Sequence, residues 1–340
     1  MQIPYYHQSA AIAKVYNANN SMTLATIVIM SISVLLTSCK KTPQQWKEIT
    51  KIETNTTANF YSILQKGNNI IVVGGKQFET AEMLLSHDGG SSWEHKTFSE
   101  VGKTMYDVCA APNGTIYAMG FESKMLITKD SGYNWQFHQP GLWATCKAVC
   151  YPQNETGFTV SDIAQRNSEI YSLDSNRQLQ SKAAYAFGLN DIEITGQTGY
   201  AAGYGVVLKT TDGGSNWQYL DIKNDNFTAI DYKNKDNVWV CGSGGSIFHT
   251  TDGGNSWEKI RNGNALTKKS YQLRDIYFIN DTEGWCVGDN GIIIHTTDGG
   301  NKWSEYESQT TEDLRCIYLI ADGKLLVCGD NGTLLKLTRN

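Results

Sequence analysis

The residues best equipped for chemistry recur along the chain. Five segments place a carboxylate two residues after a hydroxyl, then a Gly-containing turn, then a Trp. They are Ser86-x-Asp88 to Trp93, Thr128-x-Asp130 to Trp135, Thr210-x-Asp212 to Trp217, Thr250-x-Asp252 to Trp257 and Thr296-x-Asp298 to Trp303. Repeated carboxylates and hydroxyls could hold calcium, and Trp rings could stack on sugars. The same residues also have a purely structural use. An Asp in a tight turn accepts backbone N–H groups, the glycines take dihedrals closed to other residues, and the Trp packs on the sheet. We expect that structural use. The thiols offer little more. After Cys39 come Cys109, Cys146, Cys150, Cys241, Cys286, Cys316 and Cys328, an odd number without a C-x-x-C pair. Cys146 and Cys150 are four apart on a predicted strand, too far to bridge if extended. They read as buried thiols packed like small hydrophobes. No metal site and no cofactor is expected, and no G-x-S-x-G, H-E-x-x-H or phosphate-binding loop is present.

The elements that position these residues follow from their spacing. The five Trp residues lie 42, 82, 40 and 46 apart, so the gap of 82 hides one further unit. Ser172-Leu-Asp174 sits where that unit belongs, without the Gly pair or the Trp. A second column has a large apolar residue three before a Gly: Ile71, Tyr117, Tyr200, Trp239, Trp285 and Leu326, with Phe158 preceding Ser161 in the degenerate unit. A third column is aliphatic: Ile63, Val108, Val149, Ile192, Ile230, Ile276 and Ile317. Both columns count seven units. Within one unit, Leu273–Ile279, Gly284–Gly288, Ile292–Thr296 and Trp303–Tyr306 read as four strands, with Asn290-Gly291 as a hairpin turn. Four short strands in about 40 residues predict a propeller blade. The chain ends in a third strand from Thr333 and begins its repeat with Gln45-Trp46-Lys47-Glu48-Ile49, which matches Trp257-Glu258-Lys259-Ile260. The N-terminal strand is therefore predicted to complete the last blade and pair its edge. The fold class is all-β, a seven-bladed propeller over residues 46–340.

The segment before the repeat reads differently. Leu24 to Leu36 is apolar for thirteen residues, too short for a comfortable membrane span but suited to a signal peptide. It runs into Leu36-Thr37-Ser38-Cys39, which resembles a bacterial lipobox. That resemblance implies a signal peptide over 1–38, acylation of Cys39 and a tether over 39–45. Lys40 stands where an Asp would imply inner-membrane retention. The expectation is a lipoprotein of the outer membrane, facing the periplasm or the surface. Net charge is −5 and no Lys/Arg-rich run occurs, which argues against nucleic acid as a partner.

The hydroxyl-x-Asp-x-Gly-x-x-Trp segments resemble the Asp-box, or bacterial neuraminidase repeat. With Gly-Trp-x-Val-Gly before the box, the full unit resembles the photosystem II assembly and stability factor family of seven-bladed propellers. The resemblance implies a protein-binding scaffold, and it implies that the Asp-boxes lie at the blade periphery, away from the ligand face. Sialidases share the box, but only six Arg are present, the Arg-Ile-Pro signature is missing, and that family usually has six blades. Xyloglucan-cleaving enzymes share it too, but use two propellers. We therefore expect no catalysis.

A candidate binding ring emerges at the mouth of the first strands: Tyr61, Tyr106, Lys147, Asn190, Thr228, Arg274 and Arg315. Tyr and Arg are favoured at interfaces. These side chains could equally satisfy local carboxylates such as Asp275, Glu312 and Asp313. The linker from Ile260 to Leu273 is longer than its counterparts and brings Arg261, Lys268, Lys269 and Tyr271 to the same face, and Gly75 to Met83 reads as another extended loop. The leading expectation is a lipid-anchored scaffold that steers acidic segments of a membrane protein or complex. The alternative is a glycan-binding or glycoside-hydrolase-like envelope protein, favoured if aromatic rings lie flat around a cleft.

Overall fold

The computed structural model of the chain describes residues 46–339, apart from 154–155, 164–166, 264–270 and 322. Cys39, the apolar stretch, the tether, Lys268 and Lys269 lie outside the described residues. No helix among the described residues is long and apolar enough to cross a membrane.

Seven antiparallel four-stranded sheets form the seven expected blades. Blade 1 comprises Asn59–Lys66, Asn69–Lys76, Thr80–Ser86 and Glu94–Phe98. Blade 2 comprises Met105–Ala110, Ile116–Gly120, Met125–Thr128 and Gln136–His138. Blade 3 comprises Thr145–Cys150, Gly157–Ile163, Asn167–Leu173 and Leu179–Tyr185, and blade 4 Leu189–Thr195, Thr198–Gly203, Val206–Thr210 and Gln218–Leu220. Blade 5 comprises Phe227–Tyr232, Val238–Gly242, Ile247–Thr250 and Glu258–Arg261, and blade 6 Leu273–Phe278, Gly284–Gly288, Ile293–Thr296 and Ser304–Tyr306. Blade 7 takes Leu314–Leu319, Leu325–Gly329 and Leu334–Arg339 from the C-terminus and Trp46–Lys51 from the N-terminus. The innermost strands contact one another in order, and the last contacts the first.

The core is divided as a ring requires. Seven hydrophobic clusters occur, each between two adjacent blades. The second strand of a blade is buried on both faces, which explains why its residues are continuously apolar rather than alternating. Trp239 and Trp285 on those strands are completely buried. The closing strand is fixed by its Trp. Trp46 meets Trp285 edge-on at 5.1 Å, donates from Nε1 to Glu283 Oε1 at 2.7 Å, and lies under the Arg339 guanidinium at 4.3 Å.

The glycine that ends most second strands has a packing cause. A Cβ on Gly288 would stand 2.0 Å from the Gln272 carbonyl oxygen of the preceding loop, and one on Gly329 would stand 2.2 Å from that of Asp313. One expectation is corrected here. Gly75 to Met83 is no extended loop. It is a lengthened hairpin, paired as far as Lys76 opposite Thr80.

The Asp-boxes are turns that join the third strand of a blade to the outer one. In the box of blade 4, Asp212 Oδ1 accepts the Asn216 N–H at 2.9 Å and Oδ2 accepts its Nδ2 at 2.7 Å, while Thr210 Oγ1 donates to Oδ1 and accepts the Gly214 N–H, both at 2.9 Å. Gly213 and Gly214 have φ of +70° and +90°. The degenerate blade 3 keeps the carboxylate: Asp174 Oδ1 accepts the N–H of Asn176 and of Gln178, each at 2.9 Å. The box Trp residues are half-buried rather than buried, each packed on the edge of a cluster.

Candidate functional site

Innermost strands start at one face of the ring, here called the mouth face, and the Asp-box turns lie at the opposite end of the blades. Each innermost strand carries one irregularity in its pairing with the second strand. The residue skipped is Tyr61, Tyr106, Lys147, Asn190, Thr228, Arg274 or Arg315. Every ring residue singled out in the sequence therefore sits at a β-bulge, the device that re-aims a side chain out of the pleat. All seven line one mouth cavity of about 480 Å³.

The ring is a chain of contacts. The Arg315 guanidinium lies 5.7 Å from the centre of the Tyr61 ring, and Tyr61 meets Tyr106 edge-on at 4.9 Å. Lys147 Nζ donates to Asn190 Oδ1 at 3.1 Å, and Asn190 Nδ2 donates to the Phe227 carbonyl at 2.7 Å. Thr228 Oγ1 donates to the Leu273 carbonyl at 2.8 Å. Burial holds the Tyr61 hydroxyl above its usual range and pushes that of Tyr106 up to about 12, so both stay protonated.

The three cations are paired, but chiefly with carboxylates other than those expected; of the expected ones Asp313 alone is reached, by Arg315. Arg274 reaches Asp289 in a fork, Nε to Oδ1 at 2.6 Å and Nη2 to Oδ2 at 3.0 Å. Arg315 reaches Asp330 in the same way, at 2.9 and 2.6 Å, with Asp313 only at 3.5 Å. Lys147 Nζ stands 3.1 Å from Asp162. Asp162, Asp289 and Asp330 occupy the same place in their blades, one residue past the glycine column, or past Ser161 in blade 3. The bulge turns the ring side chain toward that position. Asp275 lies one residue beyond the bulge and faces down the channel, and Glu312 accepts from Asn331 instead, at 3.3 Å. The Asp partners were missed, although aligning the residue after the glycine column would have found them. The mouth is therefore charge-balanced rather than basic.

Below the ring is a layer that the sequence did not suggest. Asp107, Asp191 and Asp275, from blades 2, 4 and 6, each accept an N–H from the next residue of their own strand and another from the following blade. Asp107 takes Val108 and Val149 at 2.8 and 2.7 Å. Asp191 takes Ile192 and Ile230 at 2.8 and 2.9 Å, and Asp275 takes Ile276 and Ile317 at 2.8 and 2.7 Å. Ser62 adds a bond from blade 1 to Asp107 at 2.7 Å. Loss of hydration outweighs these bonds. It pushes Asp107 up to about 6 and Asp191 and Asp275 up to about 7. The aliphatic column follows, and all of it but Val108 lines a lower cavity of about 550 Å³. There Asp231 accepts the Phe278 N–H and the Lys233 ammonium, and burial raises it and Glu193.

The remaining sequence leads are dispersed. Arg261 donates to the Gly245 carbonyl, and Tyr271 reaches Glu305 at 3.5 Å. The seven described cysteines are free thiols, five of them buried. Among the described residues no three His, Cys, Asp or Glu side chains converge as a metal site would require.

Comparison with known proteins bears on this geometry. The family model of the photosynthesis system II assembly factor YCF48 matches residues 220–313 and 262–338. No curated relative matches by sequence. YCF48 from Cyanidioschyzon merolae superposes with a TM-score of 0.68 at 17% identity, covering 85% of this chain and 98% of its own. A structure of YCF48 bound to D1 peptide gives 0.70 at 18%, covering 87% and 98%. Virginiamycin B lyase from Staphylococcus aureus gives 0.68 at 12%, covering 86% and 99%, so the fold is also one that enzymes use. The family model is matched over the C-terminal blades, and around the whole ring the chain has the seven-bladed propeller fold that the YCF48 structures share.

Proposed function

We propose that this propeller is a non-catalytic scaffold that holds a segment of a membrane or envelope protein on its mouth face. The observation that carries the reading is the ring itself. Seven bulges aim seven side chains at one cavity, and own-blade carboxylates fix the three cations before any partner arrives. A site fixed in advance loses little ordering entropy on binding. The YCF48 structure titled as bound to D1 peptide supports a peptide as the class of ligand. Because the cations are neutralised, long-range steering contributes little. Hydrogen bonding at short range does the recognition. Each Arg uses Nε and Nη2 on its Asp, and its Nη1 bonds no group among the described residues.

Acylation of Cys39 in an outer-membrane lipoprotein is part of the same proposal. The described chain begins at Trp46, which pairs with Arg339 at the Asp-box end of blade 7. Cys39→Ser is expected to release the protein from the membrane fraction. The binding reading is tested by cross-linked capture of the lipidated protein from intact envelopes. A defined membrane protein should be enriched, and should disappear with Arg274→Glu/Arg315→Glu. Capture indifferent to that double substitution would contradict a role for the ring.

Glycan binding is the second reading, and one observation favours it. Phe78, Trp143 and Tyr204 are exposed on loops of the mouth face, Trp143 at 82%. Glycan-array binding lost with Trp143→Ala would move the assignment to carbohydrate.

A further inference from the structure

The mouth cavity does not end at the ring. Between blades 3 and 4 it continues into a groove of about 510 Å³ that shares Lys147 and Asn190 with the mouth. Residues 186–188 are all that join the two blades, and this short crossing leaves the groove open. Its walls are aromatic. Phe187 is stacked on Tyr185 at 5.0 Å. The backbone of Tyr204 is pinned by its N–H to the Gly188 carbonyl at 2.8 Å and by a bridge to Asn226. The Tyr204 side chain, in contrast, is 70% exposed, and its ring and hydroxyl have no partner among the described residues. A pinned backbone that presents a free aromatic ring is what a contact surface needs.

The polar groups of the groove are also incompletely used. Asp162 gives Oδ2 to Lys147, while its buried Oδ1 has no donor among the described residues. A buried acceptor without a donor is unfavourable, and turning the carboxylate into the groove it lines, to meet a partner's N–H, relieves it. Asn226 accepts from Asn190 Nδ2 at 2.9 Å through Oδ1, leaving its own Nδ2 to donate. One acceptor and one donor between two aromatic walls match the N–H, C=O and side chain of an extended peptide. The other aromatics of this face offer less. Phe78 and Phe121 cover each other at 5.1 Å beneath Lys103, and Trp143 lines none of the cavities described.

We propose that the blade 3–blade 4 groove selects one aromatic or branched aliphatic side chain of an extended peptide whose neighbouring residues cross the ring. This rests on the peptide-scaffold reading above and adds the class of residue recognised and its place. Gly188 supplies a clean probe. Its backbone is not left-handed, and a Cβ there meets nothing within 4 Å, so Gly188→Leu fills the groove without strain.

The test uses the full chain in detergent micelles, panned against a display library of random peptides, with affinities of enriched peptides read by fluorescence anisotropy. The expected result is one recurrent aromatic or branched aliphatic position. Affinity should fall about tenfold or more with Gly188→Leu and with Phe187→Ala/Tyr204→Ala, and be largely kept by Tyr204→Phe. Should Gly188→Leu fail to fold, Tyr204→Ala carries the test, since that side chain packs on nothing. Peptides that bind wild type and Gly188→Leu alike, but not Arg274→Glu/Arg315→Glu, would overturn the groove and leave the scaffold standing. No enrichment over empty micelles would overturn both. Carbohydrate binding blocked by Gly188→Leu would replace the peptide with a glycan.

Discussion

Two sets of carboxylates hold this molecule, one at the Asp-box turns and one along the channel, and they work in opposite ways. The turn set is Asp88, Asp130, Asp212, Asp252 and Asp298. Each bonds groups of its own turn, and those bonds pull its pKa below the usual range, Asp130 down to about 2. The channel set is Asp107, Asp191 and Asp275. Each joins two blades, and loss of hydration pushes it up to between about 6 and 7. The turn set closes local loops, each within its own blade. The channel set spans roughly one repeat per bond, as from Asp107 to Val149, and each member fastens an interface that no other copy duplicates.

The largest effects should come from the aromatics that accompany each set. Trp239, completely buried and stacked on Phe278 at 4.1 Å, should cost about 3–5 kcal/mol as Trp239→Ala. The half-buried turn residue should cost less, about 2–3 kcal/mol as Trp257→Ala, both read from denaturant midpoints. Equal losses would erase the distinction between interior and periphery.

Next, Asp191→Ala strands the N–H groups of Ile192 and Ile230 and should cost about 2–3 kcal/mol. Asp212→Ala, in an exposed turn, should lower stability least of all, and a larger loss there than at Asp191 would invert the comparison.

The pH dependence sharpens it further. An unfolded Asp titrates near about 4. For the channel set the folded value is raised, so the native protein holds more protons between about 4 and 7, and stability falls as pH rises through that window. For the turn set the folded value is depressed, so its stabilisation is present above about 4 and is lost as pH falls through the folded values. The melting temperature should therefore peak near about pH 4 and decline by about 10 °C or more towards pH 8. Asp107→Asn/Asp191→Asn/Asp275→Asn should flatten that decline. A wild-type profile already flat from pH 5 to 8 would contradict the raised pKa values of the channel set.

What was legible in the sequence follows the same division. The Asp-box is contiguous and repeated in register, so its turns, the seven blades and the closing strand at Trp46 could be read directly. The ring could be read because its members recur at one column, but the bulges that aim it leave no local mark. The channel carboxylates could not be read. They alternate with Ser62, Ala148, Ala229 and Cys316 from blade to blade, and their partners lie about a blade away. The pairing of Arg274 and Arg315 was anticipated with the nearest acids in the sequence. Antiparallel pairing instead brings in acids 15 residues away, Asp289 and Asp330.

The proposed function rests on the mouth face and not the Asp-box face, and two tyrosines of similar exposure separate them. Tyr204 is 70% exposed beside the mouth, and Tyr133 is 57% exposed in the blade 2 Asp-box turn. The decisive measurement places a photo-cross-linking amino acid at one position or the other in intact cells. A discrete protein adduct from position 204 and none from position 133 is the expected result. An adduct from 133 alone would put the partner on the Asp-box face and contradict the account.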